Sequence, residues 1–160
     1  MTIELRVMPA ERFAAWLEES RRGYEQSRIE SGESTEVAAQ KARAGFAASF
    51  PDGQIAPGQL VYDVVALDGN GASTVVGYLW ISQTGDRADA WWVSDIEIHE
   101  DYRGKGYGRA AMQLAEGAAA KQGAATLGLN VFGYNTVAHD LYESLGYETV
   151  STQMRKPVGQ

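Results

Sequence analysis

The chain has 160 residues, a mass of 17.4 kDa, 44% hydrophobic and 22% charged residues and a formal net charge of -7, which describes one globular domain able to fold without covalent staples. With no cysteine, disulfides, thiolate metal sites and a cysteine nucleophile are excluded, and two histidines leave little for a zinc centre, so no metal is expected. The acidic balance argues against a nucleic-acid partner; no apolar run approaches the roughly 20 residues of a membrane span, and residues 1–10 lack a leader pattern, so a cytoplasmic protein without a membrane partner is expected.

Ile3 to Met8 reads as a first strand, and Pro9 suits the start of a helix. Phe13, Trp16, Leu17 and Tyr24 then recur at helical spacing to about Arg28, and Gly32 breaks the run. Ser34 or Thr35 can cap a second helix carrying Val37, Ala38, Phe46 and Ala47, which ends near Phe50–Pro51. The period then changes. Leu60 to Leu67 and Thr74 to Gln83 are β-rich runs around the turn Asp68-Gly69-Asn70-Gly71, and Asp89 to His99 completes an antiparallel meander. A glycine loop at 103–108 leads into a helix from about Gly108 to Gln122, stopped by Gly123. Leu127 to Phe132 is a strand, Asn135 can cap a helix to about Leu145, and Tyr147 to Arg155 is a last strand. The order β–αα–βββ–α–β–α–β is a mixed α/β single domain spanning 1–160, with a mostly antiparallel central sheet.

Charge is unevenly spread. Residues 51–102 hold 9 acidic side chains and 1 basic, whereas residues 103–160 hold 6 basic and 4 acidic. The sign changes at Arg103, inside the glycine cluster. An acidic middle beside a basic loop could place a cationic ligand next to an anionic one, and it could equally be a solvated acidic surface.

The run Arg103-Gly104-Lys105-Gly106-Tyr107-Gly108-Arg109 follows a strand and opens a helix. Its glycines let backbone N–H groups converge, and a helix N-terminus adds about half a positive charge. Arg103, Lys105 and Arg109 add full charges. A pyrophosphate is the natural guest of such a cradle, although a plain glycine turn with incidental basic residues has the same outline. The phosphate-loop pattern GxxxxGK[ST] does not occur. The dinucleotide pattern occurs at Gly106-Tyr107-Gly108-Arg109-Ala110-Ala111, but no acid ends the next strand, at Phe132-Gly133-Tyr134-Asn135, to hold a ribose.

The 103–108 run resembles the [Q/R]-x-x-G-x-[G/A] acyl-CoA signature of the GNAT N-acetyltransferase superfamily. Ile96-Glu97-Ile98 before it resembles that superfamily's fourth strand, and Leu127 to Phe132 its fifth. Asn135-x-x-Ala138-x-x-Leu141-Tyr142-Glu143-Ser144-Leu145-Gly146-Tyr147 resembles its late helix and following strand. The match is strongest over 91–155. It departs in the bend before the loop, where Glu100 and Asp101 replace a frequent proline.

The resemblance implies acetyl transfer from acetyl-CoA to a primary amine, small molecule or peptide, for which the acidic stretch suggests a cation. It implies that Arg103, Gly104, Lys105, Gly106, Tyr107, Gly108 and Arg109 hold the pyrophosphate. It also implies that the Ile98 backbone meets the pantetheine arm or thioester oxygen, that Asn135 reaches the same arm, and that Tyr142 donates to the leaving sulfur. A homodimer is expected only by analogy. Strand alternation places Asp95, Glu97 and His99 on one face and Ile96 and Ile98 on the other. Glu97 is the first candidate for the base, Asp95 the second and His99 the third, with a water relay as the alternative. Trp80, Trp91 and Trp92 lie in the hairpin strands; Trp91 and Trp92 point to opposite faces, so one packs in the core and the other could wall the acceptor pocket, with Tyr24 and loop 51–57 on its far side. A non-catalytic acyl-CoA sensor and a transferase for longer acyl groups are the competing readings.

Overall fold

The computed structural model describes residues 2–159. Strand β1 (Thr2–Val7) leads through Pro9 into helix α1 (Ala10–Glu30), whose buried residues Phe13, Trp16 and Ser20 lie at helical spacing on one face. Helix α2 (Thr35–Ser49) starts at Ser34, whose hydroxyl accepts from the Val37 N–H, and buries Ala38, Ala42 and Phe46. Strands β2 (Gln59–Leu67), β3 (Ser73–Gln83) and β4 (Ala90–Ile98) form the meander. In the β2–β3 turn the Asp68 carboxylate accepts from the N–H groups of Asn70 and Ala72. Helix α3 (Tyr107–Lys121), strand β5 (Thr126–Leu129) and helix α4 (Thr136–Ser144) complete the chain.

The strands run in sequence order, β1-β2-β3-β4-β5; the first four pair antiparallel and β5 pairs parallel to β4. Two cores flank the sheet. On one face α3 packs Tyr107, Ala111, Met112, Ala115 and Ala119 onto Val64, Leu79, Ile81, Trp91 and Val93. On the other, α1 and α2 bring Phe13, Trp16, Phe46 and Phe50 against Val61, Tyr78 and Trp80. That second core is almost wholly aromatic: Trp80 lies 4.9 Å from Phe50, 5.2 Å from Phe46 and 5.9 Å from Trp16, centroid to centroid.

Two irregularities shape the site. The β3–β4 register slips between Trp80↔Asp95 and Ile81↔Val93, so Ser94 is an extra residue in β4. Trp91 and Val93 therefore face α3 while Asp95, two residues on, faces α1. The other irregularity is a parting of strands. The β4–β5 ladder covers only Ala90↔Thr126 to Val93↔Leu129, and β4 then runs on to Ile98 paired with β3 but without β5. The sheet opens into a wedge at that point.

The expected last strand, Tyr147 to Arg155, is not formed; residues 147–159 carry neither helix nor strand. Tyr147 anchors the start of this segment, with its hydroxyl donating to Glu116 at 3.0 Å and its ring edge-on to Tyr142, and Arg155 donates to the Ser31 carbonyl further along. Val150 and Met154 are 94% and 88% exposed, so the apolar residues that suggested a strand bury nothing. A strand is held by its neighbour, and β5 offers only four residues of edge.

Candidate active site

The wedge between β4 and β5 is the mouth of a cleft of about 1160 Å³ that passes from the α3 side of the sheet to the α1 side. Its lining brings together the glycine loop, the exposed end of β4, the start of α4 and the aromatic core.

At one end lies the loop. Gly104 and Gly106 adopt φ of 73° and 83°, which a side chain would strain, and open space surrounds both. Gly106 is the N-cap of α3, and no side chain caps that end. First-turn N–H groups have no intrahelical acceptor, so this helix end presents donors and a partial positive charge toward the cleft. The donor set suits an anion such as a pyrophosphate. Arg103 lines the cleft, and its Nε donates to the Ile98 carbonyl at 2.8 Å, tying loop to strand end. Arg109 also lines the cleft and donates to the Ser144 hydroxyl at 2.6 Å, which joins α3 to α4. Tyr107 is buried in the α3 core, so only its backbone is placed to meet a ligand. Lys105 stands outside the lining, with its ammonium 5.7 Å from the centre of the Tyr102 ring.

Ile98 faces Gly77 across the ladder, while the neighbouring His99 N–H donates to the Val76 carbonyl. Antiparallel alternation then turns the Ile98 N–H and C=O away from β3 and toward the wedge. Its side chain packs on the α3 core together with Ile96. Asn135 lines the cleft as the N-cap of α4, and its side-chain oxygen accepts from the Ala138 N–H at 3.3 Å.

Asp95 and Glu97 face the α1 side, joined by one phenol. Tyr78 Oη lies 3.0 Å from Asp95 Oδ2 and 3.3 Å from Glu97 Oε2, and having one proton it donates to one of them at a time. The buried Ser20 hydroxyl donates to the same Asp95 oxygen at 2.6 Å. Burial raises the Asp95 carboxyl above the ordinary aspartate range, against the pull of the Ser20 and Tyr78 donors, and the Glu97 charge adds to the rise. Burial, with the two carboxylates, likewise holds the Tyr78 phenol in its neutral form. Glu97 reaches the other way, with Oε1 3.9 Å from His99 Nδ1 and 4.0 Å from an Arg103 nitrogen. Tyr142 lines the cleft from α4; its phenol is raised first by burial and then by the charge of Asp95.

The acceptor wall follows the expectation in part. Trp80, Trp92 and Tyr24 line the cleft, Trp91 is core, and loop 51–57 takes no part. Sequence reasoning missed several contributors, Tyr78 between the two carboxylates among them. Phe46 reaches the cleft from α2. Ser20 holds Asp95. Gly128 gives Trp92 its place: a β carbon there would lie 2.5 Å from the indole ring, so only glycine lets the ring cross the β4–β5 gap. A polar residue at a core position of α1, and a glycine inside a strand, were the available signals.

Outside the cleft, His139, Asp140 and Glu143 place ligand atoms within 4.8 Å of one another on the outer surface of α4. Among the described residues no helix is long and apolar enough to cross a membrane.

Residues 18–147 match the model of the acetyltransferase (GNAT) family. The chain is 28% identical over 158 residues to the uncharacterized N-acetyltransferase YycN of Bacillus subtilis (strain 168), covering 98% of this chain and 99% of YycN. It is equally similar, over 159 residues and 98% of each chain, to YdgE of the same organism, also an uncharacterized N-acetyltransferase. The crystal structure of YycN superposes with a TM-score of 0.86 over 99% of this chain and 100% of its own. The PaiA N-acetyltransferase of Thermoplasma acidophilum, solved in complex with coenzyme A, shares the fold at a TM-score of 0.64 and 18% identity, over 96% of this chain and 94% of its own.

Proposed function

The chain belongs to the acetyltransferase (GNAT) family, and from that premise we propose that it moves an acetyl group from acetyl-CoA directly to a primary amine. One observation carries this reading: a single cleft joins an uncapped, glycine-flanked helix end to a carboxylate pair and a phenol on opposite sides of a parted sheet.

The Gly104–Gly108 backbone, Arg103 and Arg109 hold the pyrophosphate of the donor. The pantetheine arm lies in the wedge, where the Ile98 N–H and Asn135 are placed to bond it. The acceptor reaches the thioester from the α1 side. An alkylammonium has a pKa near 10 and must lose a proton before it attacks, and Asp95 is the base, directly or through one water. The amine nitrogen bonds to the thioester carbonyl carbon, the carbon–sulfur bond breaks, and the sulfur leaves with the electron pair. The second nitrogen proton departs as the amide forms. Donor and acceptor become CoA thiol and N-acetyl amine, with one proton released to solvent.

Tyr142 donates a hydrogen bond to the departing sulfur. Its phenol is a weaker acid than a thiol, whose pKa is about 8.5, so it stabilises the thiolate chiefly as a fixed donor and not by complete proton transfer. The chain has no cysteine and the cleft presents no activated nucleophile, which favours direct transfer over an acyl-enzyme.

The test has two parts. Acetyl-CoA should raise the melting temperature of the native protein, and Gly106→Glu should abolish that rise while still folding. In an amine acetylation assay Tyr142→Phe should lower kcat about 100-fold with the acetyl-CoA thermal shift intact. No shift with acetyl-CoA at millimolar concentration would remove the donor assignment.

A further inference from the structure

The acceptor end of the cleft has one charged spot and an apolar remainder. Its acidic lining residues are Asp95 and Glu97, which share one face of β4; Arg103 approaches Glu97 to 4.0 Å from the loop side, and no lysine or arginine among the lining residues pairs with Asp95. Asp63, another buried acid on this face, is neutralised by Arg12 at 2.7 Å and stands outside the lining. Arg28 donates to the Tyr24 hydroxyl at the rim, but its guanidinium is turned to Glu33 through bonds of 2.7 and 2.6 Å, a carboxylate it shares with Lys41 at 2.8 Å. Most of the rest of that end is ring surface, from Tyr24, Phe46, Trp80 and Trp92, with the small uncharged residues Gly23, Ser27 and Ser94 between. These rings are fixed beforehand, Phe46 against Tyr24 and Trp80, and Trp92 on Gly128. A wall fixed in this way loses little freedom when it receives an apolar guest.

We propose that the acceptor is a monoamine with a single cationic head on an aromatic or extended alkyl body and no carboxylate near the nitrogen. This deepens the reading above and rests on it. The ammonium lies at the Asp95–Glu97 pair, where ring faces add cation–π attraction, and the body lies against Trp92 and Tyr24. An α-carboxylate would be brought against the Asp95 carboxylate, which has hydrogen-bond donors but no cation beside it, and like-charge juxtaposition is unfavourable. A polyamine would bring second and third charges onto ring surface that offers them no carboxylate. A short amine would leave the rings uncovered.

Two independent readouts separate this proposal from its premise. Saturation-transfer NMR of the full chain without donor compares 2-phenylethylamine, hexylamine, methylamine, phenylalanine and spermidine. The acetyl-CoA thermal shift tests the donor reading separately. The expected result is binding of 2-phenylethylamine and hexylamine about tenfold or more tighter than the other three, with the same order in kcat/KM for acetylation. Trp92→Ala should erase the preference for 2-phenylethylamine over methylamine and keep the acetyl-CoA shift; Tyr24→Leu serves the same purpose if the first variant unfolds. Equal or tighter binding of phenylalanine or spermidine overturns the proposal, as does a Trp92 variant that weakens all amines alike. Selective amine binding without any acetyl-CoA shift would uphold the pocket and reject the donor.

Discussion

Asp95 accepts from Ser20 and Tyr78 on one oxygen and sits beside a second carboxylate, in surroundings dry enough to push its own ionisation upward. Opposed demands follow. Accepting a proton from the ammonium requires the ionised form, so kcat/KM should rise with pH along an acidic limb centred above the ordinary aspartate value of about 3.8. Stability runs the other way. A group whose folded pKa exceeds its unfolded one contributes stability that is complete below the unfolded value and is lost as pH rises through the folded one. At neutral pH the charged Asp95 is therefore a standing cost. Asp95→Asn keeps an oxygen for the two donors and removes the charge. It should erase the acidic limb, lower kcat/KM at pH 7, and leave the melting temperature at pH 7 unchanged or higher. A pH–rate profile of the variant beside a thermal melt reads both, and an unchanged limb would move the base elsewhere, first to Glu97.

The start of α3 shows why the glycines of one loop are not equivalent. Gly106 is held at φ 83°, where a side chain costs about 1–2 kcal/mol, whereas Gly108 is helical. A β carbon on Gly108 would meet Leu141 Cδ2 at 3.6 Å and Ile98 Cγ1 at 3.9 Å, ordinary contact distances. Gly106→Ala should lower the melting temperature by about 2–8 °C for a chain of this size, and Gly108→Ala should leave it unchanged or raise it. Thermal melts of the two variants decide this, and equal losses would mean that the loop is set by something other than backbone conformation. Much of this element was legible beforehand, because glycine spacing, basic residues and a small apolar helix face are local signals. So were the meander and the faces of Asp95 and Glu97, since both can be counted from Ile96 and Ile98. Other features were not local. The bulge at Ser94 cannot be seen in β4, since counting from Trp91 and Val93 alone puts Asp95 on the wrong face. Phe46 reads as core from α2, and only the docking of α2 on Trp80 carries it to the cleft. The absent last strand is the reverse case: Tyr147 to Arg155 reads as a strand in sequence, but only the four residues of β5 are there as an edge to hold it.

Over the whole molecule the cleft divides two unequal bodies. One side has four antiparallel strands with an aromatic core beneath and α3 above. The other side is β5 with four residues, α4 with no buried residue, and an exposed tail. Few buried contacts and a short ladder imply that this second side opens locally at a free energy well below that of global unfolding. What ties it down is the short β4–β5 ladder, the half-buried Leu127, Leu129, Tyr142, Leu145 and Tyr147 against the α3 core, and hydrogen bonds from Arg109 to Ser144, Tyr147 to Glu116 and Arg155 to the Ser31 carbonyl. A donor lying in the wedge would touch Arg103 and the α3 end on one side and Asn135 and Tyr142 on the other, adding contacts that the locally opened state lacks. By mass action it should suppress every opening that abolishes binding, local or global, by the same factor, so the two sides of the cleft are told apart by their exchange rates in the free protein. Hydrogen exchange followed by mass spectrometry should show residues 126–147 exchanging fastest among the structured segments of the free protein. Acetyl-CoA at about 100 times its Kd should slow exchange there by about 100-fold, the factor set by ligand excess when the open form does not bind. Equal exchange rates across all structured segments of the free protein would mean that the C-terminal side opens only with the whole fold, and that the wedge is a rigid groove with no moving wall.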